Sequence, residues 1–343
     1  MDLADFDYHL PPELIAQHPV EPRDAARLLV ASARAGECAH RRVAELDAIL
    51  RPGDLLVRNR TRVIPARLHA RKATGGAIEL LLVHREDDPG PGERWRCLIG
   101  GKVAAGTVID LHGTPLTVEA VHADGARSVR LPPGAAMLAI ADAHGHVPLP
   151  PYIRRADQPA DRERYQTVYA DRPGSVAAPT AGLHFTPELF ARLAARGVAV
   201  TEVELAVGPG TFKPVDTARI EDYRIHAERG ECPAAAIAAI AACRARGGRV
   251  VAIGTTSVRV LESAARQPGG FAPWAGWTRL YLHPPERLQV VDALLTNFHL
   301  PRSSLLMLVA CLTGTARLHE LYRTAIAERY RFYSYGDAML LLP

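Results

Sequence analysis

Cysteine is scarce in this chain, and the few present do not pair by spacing. The five cysteines, Cys38, Cys97, Cys232, Cys243 and Cys311, are odd in number, widely spread and free of any C-x-x-C pair. That argues against a disulfide framework and against a cysteine-based zinc site. Long apolar runs are missing as well. The stretch "MDLADFDYHLPPEL" carries early acids and prolines with no basic flank, so it does not read as a signal peptide. The most apolar late segment, "VVDALLTNFHLPRSSLLMLVACL", is broken by Asp292, His299, Pro301 and Arg302 and cannot span a bilayer unaided. A cytoplasmic protein without a membrane partner is expected. The formal charge of +4 over 343 residues permits a nucleic-acid partner without requiring one. Nucleotide fingerprints are incomplete. No G-x-x-x-x-G-K-[ST] loop occurs. "VGPGTFKPV" (207–215) lacks a third glycine and does not continue as a helix, which disfavours a nicotinamide enzyme or an ordinary Rossmann methyltransferase.

What is present changes texture along the chain. Residues 1–65 combine a short helical start after Pro11-Pro12 with strands at 54–57 and 63–68. From about residue 67 to 150, short β-rich runs ("AIELLLV", "RWRCLIG", "TVIDL", "LTVEAV", "SVRLP") alternate with Gly, Pro and Asp-Gly signals, and "GAAMLAIADA" is the first helical pattern. This predicts a small all-β unit, a barrel. Beyond it, strand and helix signals alternate: strands at 200–208, 249–254 and 289–298, and helices at 233–248, from Ser257, from Ser303 and over 318–332. The expected fold is therefore α/β. A barrel-like α/β main domain (1–66 and 150–343) carries an inserted small all-β barrel domain (67–149).

Three times an apolar strand gives way to polar residues and a capped helix: "AGLHFTPEL", "VVAIGTTSVRVLE" and "LLTNFHLPRSSLL". Ligand sites in α/β folds gather where strands end and helices begin, so these turns form the predicted active site. His184 and His299 precede the first and third helices, and an imidazole titrates near neutral pH. A core histidine satisfied by backbone explains either one alone equally well, and two in matching turns favour function. Thr186-Pro187 marks the first helix start. "GTTSVR" puts Thr255, Thr256, Ser257 and Arg259 at a helix N-terminus suited to a carboxylate or phosphate, although an N-cap cluster would explain the hydroxyls. Gly208 and Gly210 could admit an adenosine close to the backbone or simply make a tight turn. Basic residues cluster at 58–72 and 152–166, including Arg60, Arg62, Arg67, Arg154 and Arg155. They read as solvated faces or as a phosphate-backbone track at the domain junction.

"YQTVYA", "GSVAAPTAGLHFTPELF", "VGPGTFKPV", "GTTSVRVLES", "VVDALLTNFHLPRSSLLMLV" and "YRFYSYGDAMLLLP" closely resemble the S-adenosylmethionine:tRNA ribosyltransferase-isomerases of queuosine biosynthesis. "DFDYHLPPELIAQHPVEPRDAARLLV" and "PGDLLVRNRTRVIPARL" resemble them too, so the likeness is nearly end to end and weakest in the β insertion. The resemblance implies a ribosyl transfer from S-adenosylmethionine to 7-aminomethyl-7-deazaguanine at the tRNA wobble position. The sugar rearranges to give epoxyqueuosine, and adenine and methionine leave. It implies no metal and no cofactor beyond the co-substrate; a monomer is expected. On that basis His184 and His299 handle protons, with Asp292 orienting one of them. Thr180, Gly208, Gly210, Thr211, Thr255, Thr256, Ser257, Arg259 and Asn297 bind the donor, and Arg60, Arg62, Arg67, Arg154 and Arg155 carry the tRNA. Four positions depart from the family pattern: Arg60 replaces a usual Asp, Ala206 a common His, Pro285-Glu286 a Gly-Tyr pair, and Tyr223 a frequent His. Two alternatives therefore stay open: a divergent paralogue using the donor on a non-tRNA acceptor, and a non-catalytic tRNA-binding protein.

Overall fold

The computed structural model describes every residue except Lys213, which lies in the glycine-bearing loop 207–215. Strands β1 (Arg27–Ser32) and β2 (Cys38–Arg42) form a hairpin, followed by the short helix α1 (Leu46–Ile49) and strands β3 (Leu55–Asn59) and β4 (Thr61–Val63). Six strands come next: β5 (Arg67–Lys72), β6 (Ala77–Glu86), β7 (Arg94–Ile99), β8 (Val108–Leu111), β9 (Thr114–Val121) and β10 (Arg127–Arg130). They close in the order β10-β7-β6-β5-β8-β9. Alternation makes this possible, because in β7 and β8 every second side chain is buried and its neighbours face outward. Leu68, Leu80, Cys97, Ile109, Leu116 and Val129 fill the interior, and Met137 and Ala141 of helix α2 (Met137–His144) pack into the same core. The expected strand over 63–68 is split, since Ile64-Pro65-Ala66 turns the chain from β4 into the barrel.

The rest of the chain contains α3 (Asp161–Arg164), β11 (Arg172–Ser175), α4 (Pro187–Ala195), β12 (Ala199–Ala206), β13 (Glu228–Cys232), α5 (Ala234–Ala245), β14 (Val250–Ile253), α6 (Gly254–Ala265), β15 (Trp274–Thr278), β16 (Ala293–Asn297), α7 (Ser304–Ala327) and β17 (Ala338–Leu342). Nine strands form one mixed sheet, β15-β13-β12-β3-β14-β16-β17-β1-β2. That order has two ends, so the main sheet is open and closure belongs to the six-stranded barrel. Strands β12, β3, β14 and β16 run parallel to their neighbours in this series. Every residue of β14 and β16 is buried, as expected of parallel strands covered on both faces. Alternate residues feed two cores: Val250 and Ala252 pack with α5, α6 and α7, whereas Val251 and Ile253 pack with α1 and α4.

Three boundaries shift. The strand expected over 289–298 begins only at Ala293, because the backbone N–H groups of Gln289, Val290 and Val291 donate to the buried Glu262 carboxylate instead of to a neighbouring strand. Helix α6 starts three residues before Ser257, at Gly254. The expected helix over 318–332 is the second arm of α7, which leaves helical geometry at Gly314 and ends at Ala327. Among the described residues no helix is long and apolar enough to cross a membrane.

Candidate active site

The parallel strands β12, β14 and β16 end on one side of the sheet, and the chain leaving them builds an open cleft. Its walls include Thr180, Ala181, Thr211, Glu228, Thr255, Thr256, Arg259, Asn297, His299 and Tyr333. All of its lining residues lie outside the barrel.

The floor is the N-terminus of α6. Gly254 takes φ +83°, a left-handed turn that lets β14 run directly into a helix. The N-cap, Ile253, offers no side-chain acceptor, so the first helical N–H groups are uncapped. Two polar atoms beside them are buried without a partner, Thr256 Oγ1 and Arg259 Nη2. Uncapped N–H groups, a hydroxyl and a guanidinium nitrogen together suit a small anion. Ser257 does not join them. Its hydroxyl donates to Ile253 O at 2.9 Å, and the residue is fully buried outside the cleft lining.

Arg259 is held by a residue the sequence reading missed, Glu228. Nη1 of Arg259 donates to Glu228 Oε2, and Nε donates to Leu280 O at 3.3 Å. Burial alone would raise the Glu228 carboxyl, but the Arg259 charge, His226 and the Gly208 N–H together hold it below the usual range. Glu228 is the only carboxylate among the cleft's described lining residues. The signal available in sequence was indirect: an arginine buried one turn into a helix needs a counterion. Gly208 and Gly210 line no part of the cleft. Gly208 N donates to Glu228 Oε1 at 2.9 Å. A Cβ on Gly210 would lie 2.2 Å from His226 Nδ1, so an imidazole fills the space that was expected to receive a nucleoside.

His299 lies in the wall. Its N–H donates to the Tyr322 hydroxyl at 2.9 Å, its carbonyl accepts from Tyr8, and Nε2 is 2.7 Å from Thr296 Oγ1. Burial lowers its imidazole to about 3. His184, in a 3₁₀ turn over Thr180–His184, stands one layer behind the cleft with Nε2 3.2 Å from Asn297 Nδ2. Burial first, then Arg331 and Arg23, lowers it to about 3 as well. Both histidines are neutral at pH 7. Asn297 Nδ2 also donates to Tyr333 O at 3.0 Å, and Oδ1 is buried with no partner. Thr186 caps α4 as expected, accepting from Leu189 N at 3.1 Å.

Asp292 is not brought to either histidine. It sits at the opposite end of the sheet, before β16, where Oδ2 accepts from Val250 N at 2.8 Å. The basic residues divide. Arg155 is paired with the buried Asp161 through bonds of 2.6 and 2.8 Å. Arg60 lies 3.9 Å from both Asp171 and Glu202, and Arg67 lies 3.8 Å from Glu79. Arg62 and Arg154 are exposed. Of the four departures, Tyr223 is buried against Tyr281 and Arg60 is offset by its acids. Ala206 ends β12 opposite Arg229, and Pro285-Glu286 borders a separate groove on the far side. Among the described residues no three His, Cys, Asp or Glu side chains converge to hold a metal.

Comparison with known proteins bears on this geometry. The chain matches the family model described as "Queuosine biosynthesis protein" over residues 3–341. It is 56% identical over 344 residues to an S-adenosylmethionine:tRNA ribosyltransferase-isomerase from Anaeromyxobacter sp. (strain Fw109-5), with 99% of each chain covered. It is 52% identical over 353 residues to a protein of the same name from Thermus thermophilus, again with 99% of each covered. A solved S-adenosylmethionine tRNA ribosyltransferase from Thermotoga maritima is 40% identical with a TM-score of 0.57, covering 98% of this chain and 100% of that one.

Proposed function

Since the chain belongs to the S-adenosylmethionine:tRNA ribosyltransferase-isomerases of queuosine biosynthesis, we infer that its cleft binds S-adenosylmethionine and transfers the ribosyl group to 7-aminomethyl-7-deazaguanine in tRNA. The sugar isomerises to the epoxycyclopentane of epoxyqueuosine, and adenine and methionine leave. The observation that carries this reading is the uncapped α6 N-terminus with Thr256 and Arg259 beside a single buried carboxylate, Glu228. The methionine carboxylate fits the helix N-terminus, and Glu228 offsets the sulfonium. Thr180, Thr211 and Thr255 add hydroxyls along the walls.

Loss of the 5′ proton begins ring opening and needs a base. His299 has the required form at pH 7, because a neutral imidazole keeps a lone pair. In the tautomer whose Nε2–H donates to Thr296 Oγ1, that lone pair is on Nδ1. His184 is a positioning residue that aims Asn297, whose free Oδ1 can accept from the leaving adenine. The reaction needs no further cofactor, since both leaving groups come from the donor. We assign residues 1–66 and 150–343 to catalysis and 67–149 to an inserted domain, supported by a cleft lined only from 152 to 334. A monomer working in the cytoplasm on tRNA fits this division, with Arg62 and Arg154 free to meet RNA. Nothing favours the paralogue or the non-catalytic binder, given relatives of one name at 48–56% identity.

The test is adenine release from S-adenosylmethionine with and without tRNA carrying the deazaguanine precursor. Release that depends on the precursor tRNA is expected. Donor binding without any release in its presence would refute the assignment.

A further inference from the structure

A shallow surface recess lies on the other side of His184, lined by Val20, Arg23, Arg164, His184, Ser334 and Tyr335 among others. Ser334 borders both this recess and the cleft, and His184 hydrogen-bonds Asn297 in the cleft wall. The two cavities therefore share one side-chain partition.

Positive charge crowds the recess with little compensation. Arg23 directs its donors to carbonyl oxygens only, Nη1 to Gln166 at 2.9 Å and Leu183 at 3.2 Å, and Nη2 to Glu163 at 2.7 Å. Arg164 donates Nη2 to Val20 O at 2.7 Å, and its Nε is buried without a partner. The one carboxylate at ion-pair distance from either arginine, among the described residues, is Glu21, 3.0 Å from Arg164 Nη1 and 76% exposed. Burial and then Arg164 push the Arg23 guanidinium below its ordinary value. His184 adds a donor: with Nε2 accepting from Asn297, the ring proton is on Nδ1, which bonds to no other described residue.

We propose that this recess grips a backbone phosphate of the RNA acceptor next to the reacting nucleotide. The proposal rests on the function inferred above, which supplies the RNA. A phosphodiester is a tetrahedral oxyanion that takes charge-assisted bonds from arginine, and the unused Nε of Arg164 and Nδ1–H of His184 are such donors. The shared partition supplies the register: a strand that puts its base in the cleft has an adjoining phosphate on the Arg164 side. Glu21 occupies Arg164 in the meantime and, being exposed, can be displaced.

The experiment measures tRNA affinity of full-length Arg164→Ala and Glu21→Gln across a salt series, with S-adenosylmethionine affinity by calorimetry as the control. Arg164→Ala should weaken tRNA binding roughly tenfold and flatten the salt dependence by about one phosphate contact. Glu21→Gln should tighten it by about threefold, and neither should alter donor affinity. Unchanged tRNA affinity and salt slope in Arg164→Ala overturn the proposal. Arg164-dependent thermal protection by inorganic phosphate, with tRNA binding indifferent to Arg164, also overturns it by making the recess a small-anion site. If Arg164→Ala loses donor binding as well, Glu21→Gln decides: tightening supports the proposal and no change overturns it. Failure of the functional reading looks different, because wild-type protein then releases no adenine with the precursor tRNA.

Discussion

The amide of Asn297 is the most tightly specified group in the cleft. Nδ2 faces Tyr333 O at 3.0 Å and Asp337 O at 3.4 Å, two acceptors that fix which end of the amide is nitrogen. His184 Nε2 must then be an acceptor too, which sets its tautomer. A glutamine at 184 can still accept there and an alanine cannot. Single-turnover adenine release should therefore fall roughly tenfold in His184→Ala and recover most of the way in His184→Gln. Equal rates in the two variants would make His184 mere packing. Sequence made the placement of "GLHF" and "TNFHLP" beside the cleft legible, since both histidines end turns at the mouths of helices. Which of the two reaches the cleft was not, because it depends on tertiary packing: His299 lines the cleft and His184 stands behind it.

At the level of elements, the turn from β12 to β13 is tied to α6 by charge. Glu228 accepts from Gly208 N on one oxygen and from Arg259 on the other, so the loop and the helix start move as one. Gly210 sits against His226, with no room for a methyl group. Gly210→Ala should therefore displace the loop and weaken S-adenosylmethionine binding by about tenfold in calorimetry, and adding His226→Ala should restore much of the loss. Strictly additive losses would mean that the two residues are not coupled. The β14 to α6 turn was readable because strand, glycine and hydroxyls follow in order. Glu228 was not, because its meaning comes from Arg259 31 positions away. Asp292 was misassigned for the related reason that the expected strand over 289–298 hid its first four residues, which Glu262 and Val250 hold outside the ladder.

For the whole molecule, two neutral histidines set the acid response. Each has a folded pKa near 3 against an unfolded value of about 6.5. Below 6.5 the unfolded chain binds protons that the folded one refuses, so their contribution is intact above that pH and is lost as pH falls toward 3. The slope reaches about 2.7 kcal/mol per pH unit. Carboxylates held below their usual range, such as Glu228 and Asp161, add to the loss only below about pH 4. Urea midpoints should drop between pH 6.5 and 5, and the drop should shrink in a His184→Gln/His299→Gln double variant; equal drops in the two proteins would place the acid sensitivity elsewhere. The architecture itself was largely legible, since alternation marks barrel strands and continuous apolar runs mark buried ones. The C-terminal strand is not among the expected ones, because "AMLLL" is one short apolar run with no alternation to mark it as a strand. It lies between β16 and β1, and it alone connects β1 and β2 to the other strands of the sheet. A ribosome making this chain must deliver more than three hundred residues before the strand that completes the sheet emerges, so a product truncated before Ala338 has no partner for β1 on that side and should be a substrate for proteases rather than a slower enzyme.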